Sequence, residues 1–450
     1  MILLCVNGGN VPIQRVSATG GVAADATSRK GLSRFPLFLP DGRHFLYTVG
    51  GASVDQRGVY LASLDGKESR RVLPDVSSVI FAAGRLLFVR ENSLMAQPFD
   101  AASEQLRGEV LPVGEGVFKN GINYAPVTVS DTGMLIYLSS DGPRGNQIGW
   151  YSREGKLLEV VVAPGNVFDP AISPDGKSVA FRRVPGDNTG SDLWVRDLTR
   201  RAEQRITADA YASGPVWSPQ GDGIAFDSFR GDGIFNLYKK ATGGTGQGEL
   251  LLANGNNKWT SQWSRDGRFI VYTEVDPKTK RDIWLLPMEG GMERKPIPFL
   301  RSAFNELLGQ LSPDSHWMAY TSDESGQREV YVRPFPAGAD QWKISIGGGD
   351  QPRWRGDGRE LFFVVADKTM MAVPVKAKVS SGWETKRSFA AGAPQALFEA
   401  SLATALANNV LEYDVTADGK HFLLATSANG SAASAAQLIV VSNWTVGLKK

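Results

Sequence analysis

The stretch "AISPDGKSVAF" (171–181) sets a tight polar turn inside an apolar run, and the chain writes the same device repeatedly. Variants are "VWSPQGDGIAF" (216–226), "QWSRDGRFIVYT" (262–273), "QLSPDSHWMAYT" (310–321), "FLPDGRHFLYT" (38–48), "RWRGDGRELFFV" (353–364) and "DVTADGKHFLLA" (414–425). Proline at 174, 219 or 313 presets φ for the first turn position, and Asp caps the backbone N–H groups that follow. Gly176, Gly267 or Gly358 then supplies a positive φ that other residues resist. β-Branched and aromatic residues follow each turn, and a large apolar residue precedes it: Ile172, Trp217, Trp263, Leu311, Trp354 or Val415. Such a hairpin cannot bury both faces alone and must stack on copies of itself.

The turns are centred at Asp41, Asp131, Asp175, Gln220, Asp266, Asp314, Asp357 and Asp418, with a degenerate copy at Ala83–Gly84. A third strand follows each ("DLWVRDL" at 192, "FNLYKKA" at 235, "DIWLLPM" at 282, "EVYVRPF" at 329), then a fourth ("QRIT" at 204, "ELLLA" at 249, "PIPFL" at 296, "WKISI" at 342). Four strands repeated every ~40–50 residues predict an all-β chain of β-propeller blades.

The polar stretch 139–147 reads as a linker. Six turn centres follow it, so 148–450 is expected to form a six-bladed ring, with "QLIVVSNW" (437–444) ending the sixth copy. The hairpin "IGWYSREGKLLEVVV" (148–162) is expected to supply the last blade's missing strand, since open sheet edges are a liability. Residues 1–138 read as a partial propeller of about three blades plus a leading half blade, the truncated end of a longer first propeller. The alternative is one ring of eight to ten blades. The insertion "VSSGWETKRSFAAGAPQ" (379–395) is expected to be a surface loop.

Composition excludes several functions. Lys+Arg 49 against Asp+Glu 47 leaves a net charge of +2 with the signs interspersed, which is no nucleic-acid footprint. The single cysteine, Cys5, rules out a disulfide framework. No run approaches the ~20 apolar residues of a membrane span. "GGTGQGE" (243–249) lacks the Lys–Ser/Thr and the helix of a phosphate cradle and reads as a turn. His44, His316 and His421 fall on separate blades. The acidic residues Asp187, Asp192, Asp227, Asp232, Asp276, Asp282, Asp323 and Glu324 read as solvated turns rather than a calcium site. Trp194, Tyr238, Trp284 and Tyr331 recur at one third-strand position and read as packing between blades. No cofactor and no metal site is expected.

The copies disagree on the innermost strand. Gln262, Gln310, Arg353 and Asp414 stand just before the large apolar residue, and Asp169, Gln351 and Glu412 stand three positions before it. This polar variety suits a ligand-facing channel mouth. Replacing Gln262, Gln310, Arg353 or Asp414 by Ala is then expected to change stability by under ~0.5 kcal/mol.

The "SPDG…IAF" copies resemble the TolB-type, WD-like propeller repeats, which tricorn-protease and dipeptidyl-peptidase propeller domains share. The run "YTEVDPKTKRDIWLLPM", "AYTSDESGQREVYVRPFP", "GGGDQPRWRGDGRELFFV" and "NWTVGLKK" resembles the C-terminal sensor-like region of bacterial serine/threonine protein kinases. This chain carries no "HRD" or "DFG", so kinase activity does not transfer to it. The resemblance implies a non-catalytic binding or sensor module, monomeric, with a protein, peptide or small ligand in the channel or on the loop face. It also implies an extracytoplasmic position if a membrane segment lies upstream. The alternative is a hydrolase or lyase with its site at the channel mouth.

Overall fold

The computed structural model describes residues 1–5, 12–28, 32–50, 55–66, 69–119, 123–139, 145–185, 190–208, 211–230, 233–289, 294–336, 338–380, 386–403, 411–428 and 437–448. Asp187 and Asp232 lie outside them. The described residues are antiparallel strands and turns, with one 3-10 turn at Val446–Leu448. None of their helices is long and apolar enough to cross a membrane.

Each turn closes as its composition demands. Gly176 donates its N–H to the Ser173 carbonyl (2.9 Å) at φ 71°, and Gly267 repeats this with Ser264 (2.9 Å) at φ 77°. The Asp175 Oδ1 accepts the Lys177 N–H (3.0 Å) and the Ser173 hydroxyl (2.7 Å).

Six sheets follow in chain order. Sheet 1 holds Val167–Ile172, Ser178–Arg183, Asp192–Asp197 and Ala202–Arg205. Sheet 2 holds Tyr211–Trp217, Gly223–Phe229, Phe235–Ala241 and Glu249–Leu252. Sheet 3 holds Lys258–Trp263, Phe269–Asp276, Lys280–Pro287 and Ile297–Leu300. Sheet 4 holds Glu306–Leu311, Trp317–Ser322, Glu329–Pro334 and Trp342–Lys343. Sheet 5 holds Asp350–Trp354, Glu360–Val364 and Thr369–Ser380, with Gln395–Glu399 and Lys386–Ala391 both paired to the long strand. Sheet 6 is assembled from both ends of this stretch. Tyr413–Val415 and His421–Ser427 form its inner half, and Asn146–Ser152 and Leu157–Gly165 form its outer half.

The inner strand of each sheet packs on that of the next, and Tyr413–Val415 packs on both Asp350–Trp354 and Val167–Ile172. The six sheets therefore close on themselves. Apolar clusters fill the seams. One joins Trp317 and Ile344 of the fourth sheet to Trp354, Phe363 and Phe389 of the fifth. Trp194, Tyr238, Trp284 and Tyr331 all lie in such clusters.

Two sequence expectations need correction here. Gln437–Ser442 does not end the sixth sheet. It pairs with Met134–Ser139, with Ser442 opposite Met134, in a three-stranded sheet with Val127–Val129. The hairpin at 146–165 instead takes His421–Ser427 as its partner, through seven consecutive pairs from Asn146↔Ser427 to Ser152↔His421. The alternation in 437–442 suits either sheet, but Ile439 and Val441 find an apolar cluster around Leu135, Tyr137, Trp444 and Leu448. The second correction concerns 379–395. Residues 381–385 lie outside the described residues, and the rest is no simple loop, because Lys386–Ala391 extends Thr369–Ser380 as a ladder and seats Phe389 against Trp317 and Trp342, at ring distances of 5.1 Å each.

Of the expected linker 139–147, Ser139 ends one strand, Asn146 and Gln147 open another, and 140–144 lie outside the described residues; residues 2–114 form three further sheets. The first is Ile2–Leu4, Gln14–Val16 and Ala24–Asp25. The second is Leu32–Phe38, His44–Gly50, Gly58–Ser63 and Ser69–Leu73. The third is Ile80–Ala82, Arg85–Arg90 and Ser93–Asp100, with Gln105–Leu106 and Leu111–Gly114 both on Ser93–Asp100.

Candidate functional site: the inner strands of the ring

The innermost strand bulges at one position in sheet after sheet. Phe168 pairs with Arg182 but Ala171 with Ala180, so one extra residue stands on the inner strand. The same slip occurs between Ser213 and Val216, Thr260 and Gln262, Leu307 and Gln310, and Asp350 and Arg353. Asp169, Gly214, Leu308 and Gln351 take φ of 53–58° at this bulge. A left-handed non-glycine residue costs about 1–2 kcal/mol and persists only where its surroundings over-determine it. The bulge bends the inner strand and turns its polar side chains toward the adjoining sheet.

That is where six of the seven predicted side chains go, all but Glu412. Gln262 of sheet 3 clamps a backbone unit of sheet 4: its Oε1 accepts the Leu311 N–H (2.6 Å) and its Nε2 donates to the Leu311 carbonyl (3.2 Å). Gln310 reaches back, donating to the Ser261 carbonyl (2.7 Å), and its Oε1 accepts Arg353 Nη1 (3.2 Å). Arg353 Nε donates to the Tyr413 carbonyl (3.3 Å) and lies 3.7 Å from Asp414 Oδ1. Asp414 Oδ2 accepts the Ile172 N–H (2.9 Å), tying the sixth sheet to the first.

The deeper three are enclosed. Asp169 is 3% exposed, takes Arg182 through both oxygens (2.7 and 3.3 Å), and lies 3.4 Å from the Gly214 N–H. Gln351 is 1% exposed and its Oε1 accepts the Glu412 N–H (2.8 Å); Glu412 itself is buried. The hydrogen bonds of Gln262, Gln310, Arg353 and Asp414 to neighbouring sheets run against the expected indifference of those four to truncation. Gln262, Gln310, Arg353, Asp414 and Gln351 spend polar atoms on backbone groups of neighbouring sheets, because inner-strand N–H and C=O groups have no further strand to pair with. Solvent still reaches Gln262 and the side chains of Arg353 (14% exposed) and Asp414 (18%).

No family model matches the chain. A stretch of 154 residues, 33% of this chain, is 28% identical to the Tol-Pal system protein TolB of Francisella tularensis subsp. tularensis (strain WY96-3418), and covers 35% of that protein. The repeated four-stranded sheets give the fold, and this match over a third of the chain accords with it. The chain is a TolB-like β-propeller. It matches only about a third of the length of that relative. The solved structure assigned to TolB of Agrobacterium tumefaciens shows a TM-score of 0.49 at 18% identity, covering 63% of this chain and 98% of that one. TolB of Acinetobacter baumannii gives 0.41 at 16% identity, with 78% of each chain covered.

Sequence reasoning missed part of the TolB-like propeller's stapling set. Asp227, expected in a solvated turn, is 1% exposed on the second strand of sheet 2. It accepts the Ser213 hydroxyl, the Thr260 N–H (3.1 Å) and the Thr260 hydroxyl (3.0 Å). Burial pushes its carboxyl up to about 7 against those hydrogen bonds. Thr321 plays the same part for the next seam but one, donating to Asp350 (3.0 Å). The signal was present in the repeated polar residue after the aromatic of "AF", "YT" and "AYT", the position that faces the following sheet. Asp282 is likewise enclosed rather than solvated.

Proposed function

We propose that this TolB-like propeller is a non-catalytic binding and sensor module whose channel mouth recognises an extended peptide segment of a protein partner. The observation that carries this reading is Arg353. It stands part-exposed beside Asp414, and its Nη2 makes no hydrogen bond among the described residues while Nε and Nη1 are committed. A fixed guanidinium edge with a carboxylate 3.7 Å away suits a peptide carbonyl or carboxylate and an adjacent N–H. Gln262 lies on the same belt, Gln310, Gln351 and Asp169 hold the mouth from behind through their hydrogen bonds, and Glu412 is buried beside them. The relative is named for the Tol-Pal system, and a role in a protein assembly accords with the reading. We propose further that the sheets from Asn146 to Ser427 form the binding unit, with 1–139 and the returning strand 437–442 as a separate partial propeller.

The test uses the full chain as bait against a displayed peptide library, with Arg353→Gln as comparator and Arg43→Ala as a distant control. Saturable peptides that bind parent and Arg43→Ala but lose at least tenfold affinity for Arg353→Gln support the mouth. No saturable peptide, or equal affinity for a folded Arg353→Gln protein, overturns it.

A further inference from the structure

Glu306 opens the inner strand of sheet 4, at the opposite end of that strand from Gln310. This strand packs against Lys280–Pro287 of sheet 3, which carries Asp282. Asp282 is 0% exposed and lies directly across its sheet from Glu274, and Glu306 is 4% exposed. Asp282 Oδ2 accepts the Thr279 hydroxyl (2.6 Å) and lies 3.6 Å from Arg301 Nε, and Glu306 Oε1 accepts the Ser302 hydroxyl. The remaining oxygens, Asp282 Oδ1 and Glu306 Oε2, are both cut off from solvent and have no hydrogen-bond partner among the described residues. Buried carboxylate oxygens are normally satisfied, and an orphan one costs free energy that a proton removes.

We propose that the seam between sheets 3 and 4 is a proton-operated latch, closed while a proton resides on the Asp282–Glu306 pair and loosened when it leaves. The neighbouring carboxylates favour retention of the proton. From sheet 3, Glu274 is held by Asn254 and Asn256, and Asp276 takes Arg301 (2.8 Å). From sheet 4 and its approach, Asp323 takes the Asn305 N–H and side-chain amide, and Glu324 lies beyond. Arg301 pairs with Asp276 and also lies 3.6 Å from Asp282 Oδ2, where its charge opposes the proton, while Arg281 bonds Asn305 and Arg328 pairs with Asp350 (2.7 Å). Lys280 adds its charge near Asp323. No group of three or more His, Cys, Asp or Glu side chains among the described residues is arranged to hold a metal ion.

Titration agrees in direction. Burial, with a smaller contribution from Asp282, Glu324 and Asp323, pushes Glu306 up to about 7 against the Ser302 hydrogen bond, and burial raises Asp282. A folded-state value above the ordinary 4.5 means the folded chain holds a proton that the unfolded chain releases. The latch is therefore fully closed at low pH and is lost as pH rises through about 7.

Hydrogen exchange of the full chain, corrected for intrinsic rates, reads this locally between acid and alkaline pH. Peptides spanning Lys280–Pro287 and Glu306–Leu311 should lose about tenfold or more protection relative to Asn146–Ser152 on going from pH roughly 5.5 to 8.5. Glu306→Gln, neutral at every pH, should abolish that dependence; Asp282→Asn reports the same if the first variant folds poorly. An unchanged pH dependence in either folded variant overturns the latch. So does recovery of protection at alkaline pH on adding calcium alone, which would make the pair a cation site.

Discussion

Gln310→Ala separates a stapling residue from a ligand-facing one. The Gln310 side chain is enclosed, with the residue 2% exposed, and it makes two hydrogen bonds across two different seams. The neutral bond to the Ser261 carbonyl at 2.7 Å contributes about 1 kcal/mol, and the bond from the Arg353 guanidinium at 3.2 Å about 1.5–3 kcal/mol. Truncation also strips a buried methylene, about 0.8 kcal/mol. These overlap rather than add, because the cavity lets groups relax, so the expected loss is about 2–4 kcal/mol. Gln262→Ala, at a part-exposed site, should lose about 1–2 kcal/mol. Urea unfolding of the full chain measures both. Hydrogen exchange at Lys258–Trp263 and Glu306–Leu311 reports the seam itself, since a chain of many sheets need not unfold in one step. A Gln310→Ala protein within about 0.5 kcal/mol of the parent would behave as an exposed position does, and the stapling account would fail.

Gly214→Ala should destabilise by more than about 2 kcal/mol, because φ is +58° and the new Cβ would lie 2.5 Å from Asp227 Oδ1 and 2.6 Å from Thr260 Oγ1; a melting temperature equal to the parent's would refute this. Asp227 contributes a stability that is full below its ordinary value of 3.8 and lost as pH rises through about 7, so Asp227→Asn should flatten the fall in stability between mildly acidic and alkaline pH. Parallel pH profiles for the two proteins would argue against it. Removing 437–448 should expose the cluster around Leu135 and Tyr137 and open the 127–139 sheet to proteolysis. Sheets 1 to 6 should stay protected, and loss of protection at Asn146–Ser152 would show that the returning strand also holds the ring.

What the sequence determined by itself is everything that local chemistry dictates. The Pro-Asp-Gly turn needs only its own residues, and the alternating strands beside it need only a neighbour of the same kind. The first four sheets, the strand order within each and the all-β class were therefore legible, as was the packing role of Trp194, Tyr238, Trp284 and Tyr331. The tertiary structure alone decided which distant strand completes which sheet. Gln437–Ser442 and Asn146–Ser152 are both strands able to pair across the chain, and which of them joins His421–Ser427 rests on clusters assembled from both ends of the chain. It also decided what the inner-strand polar residues do. Asp414 bonds the N–H of Ile172, 242 residues away, and no spacing in the sequence announces that partner. The bulge was equally hidden: of its positions with φ of 53–58°, only Gly214 carries the residue that such a backbone advertises, while Asp169, Leu308 and Gln351 are held there by the neighbouring sheets.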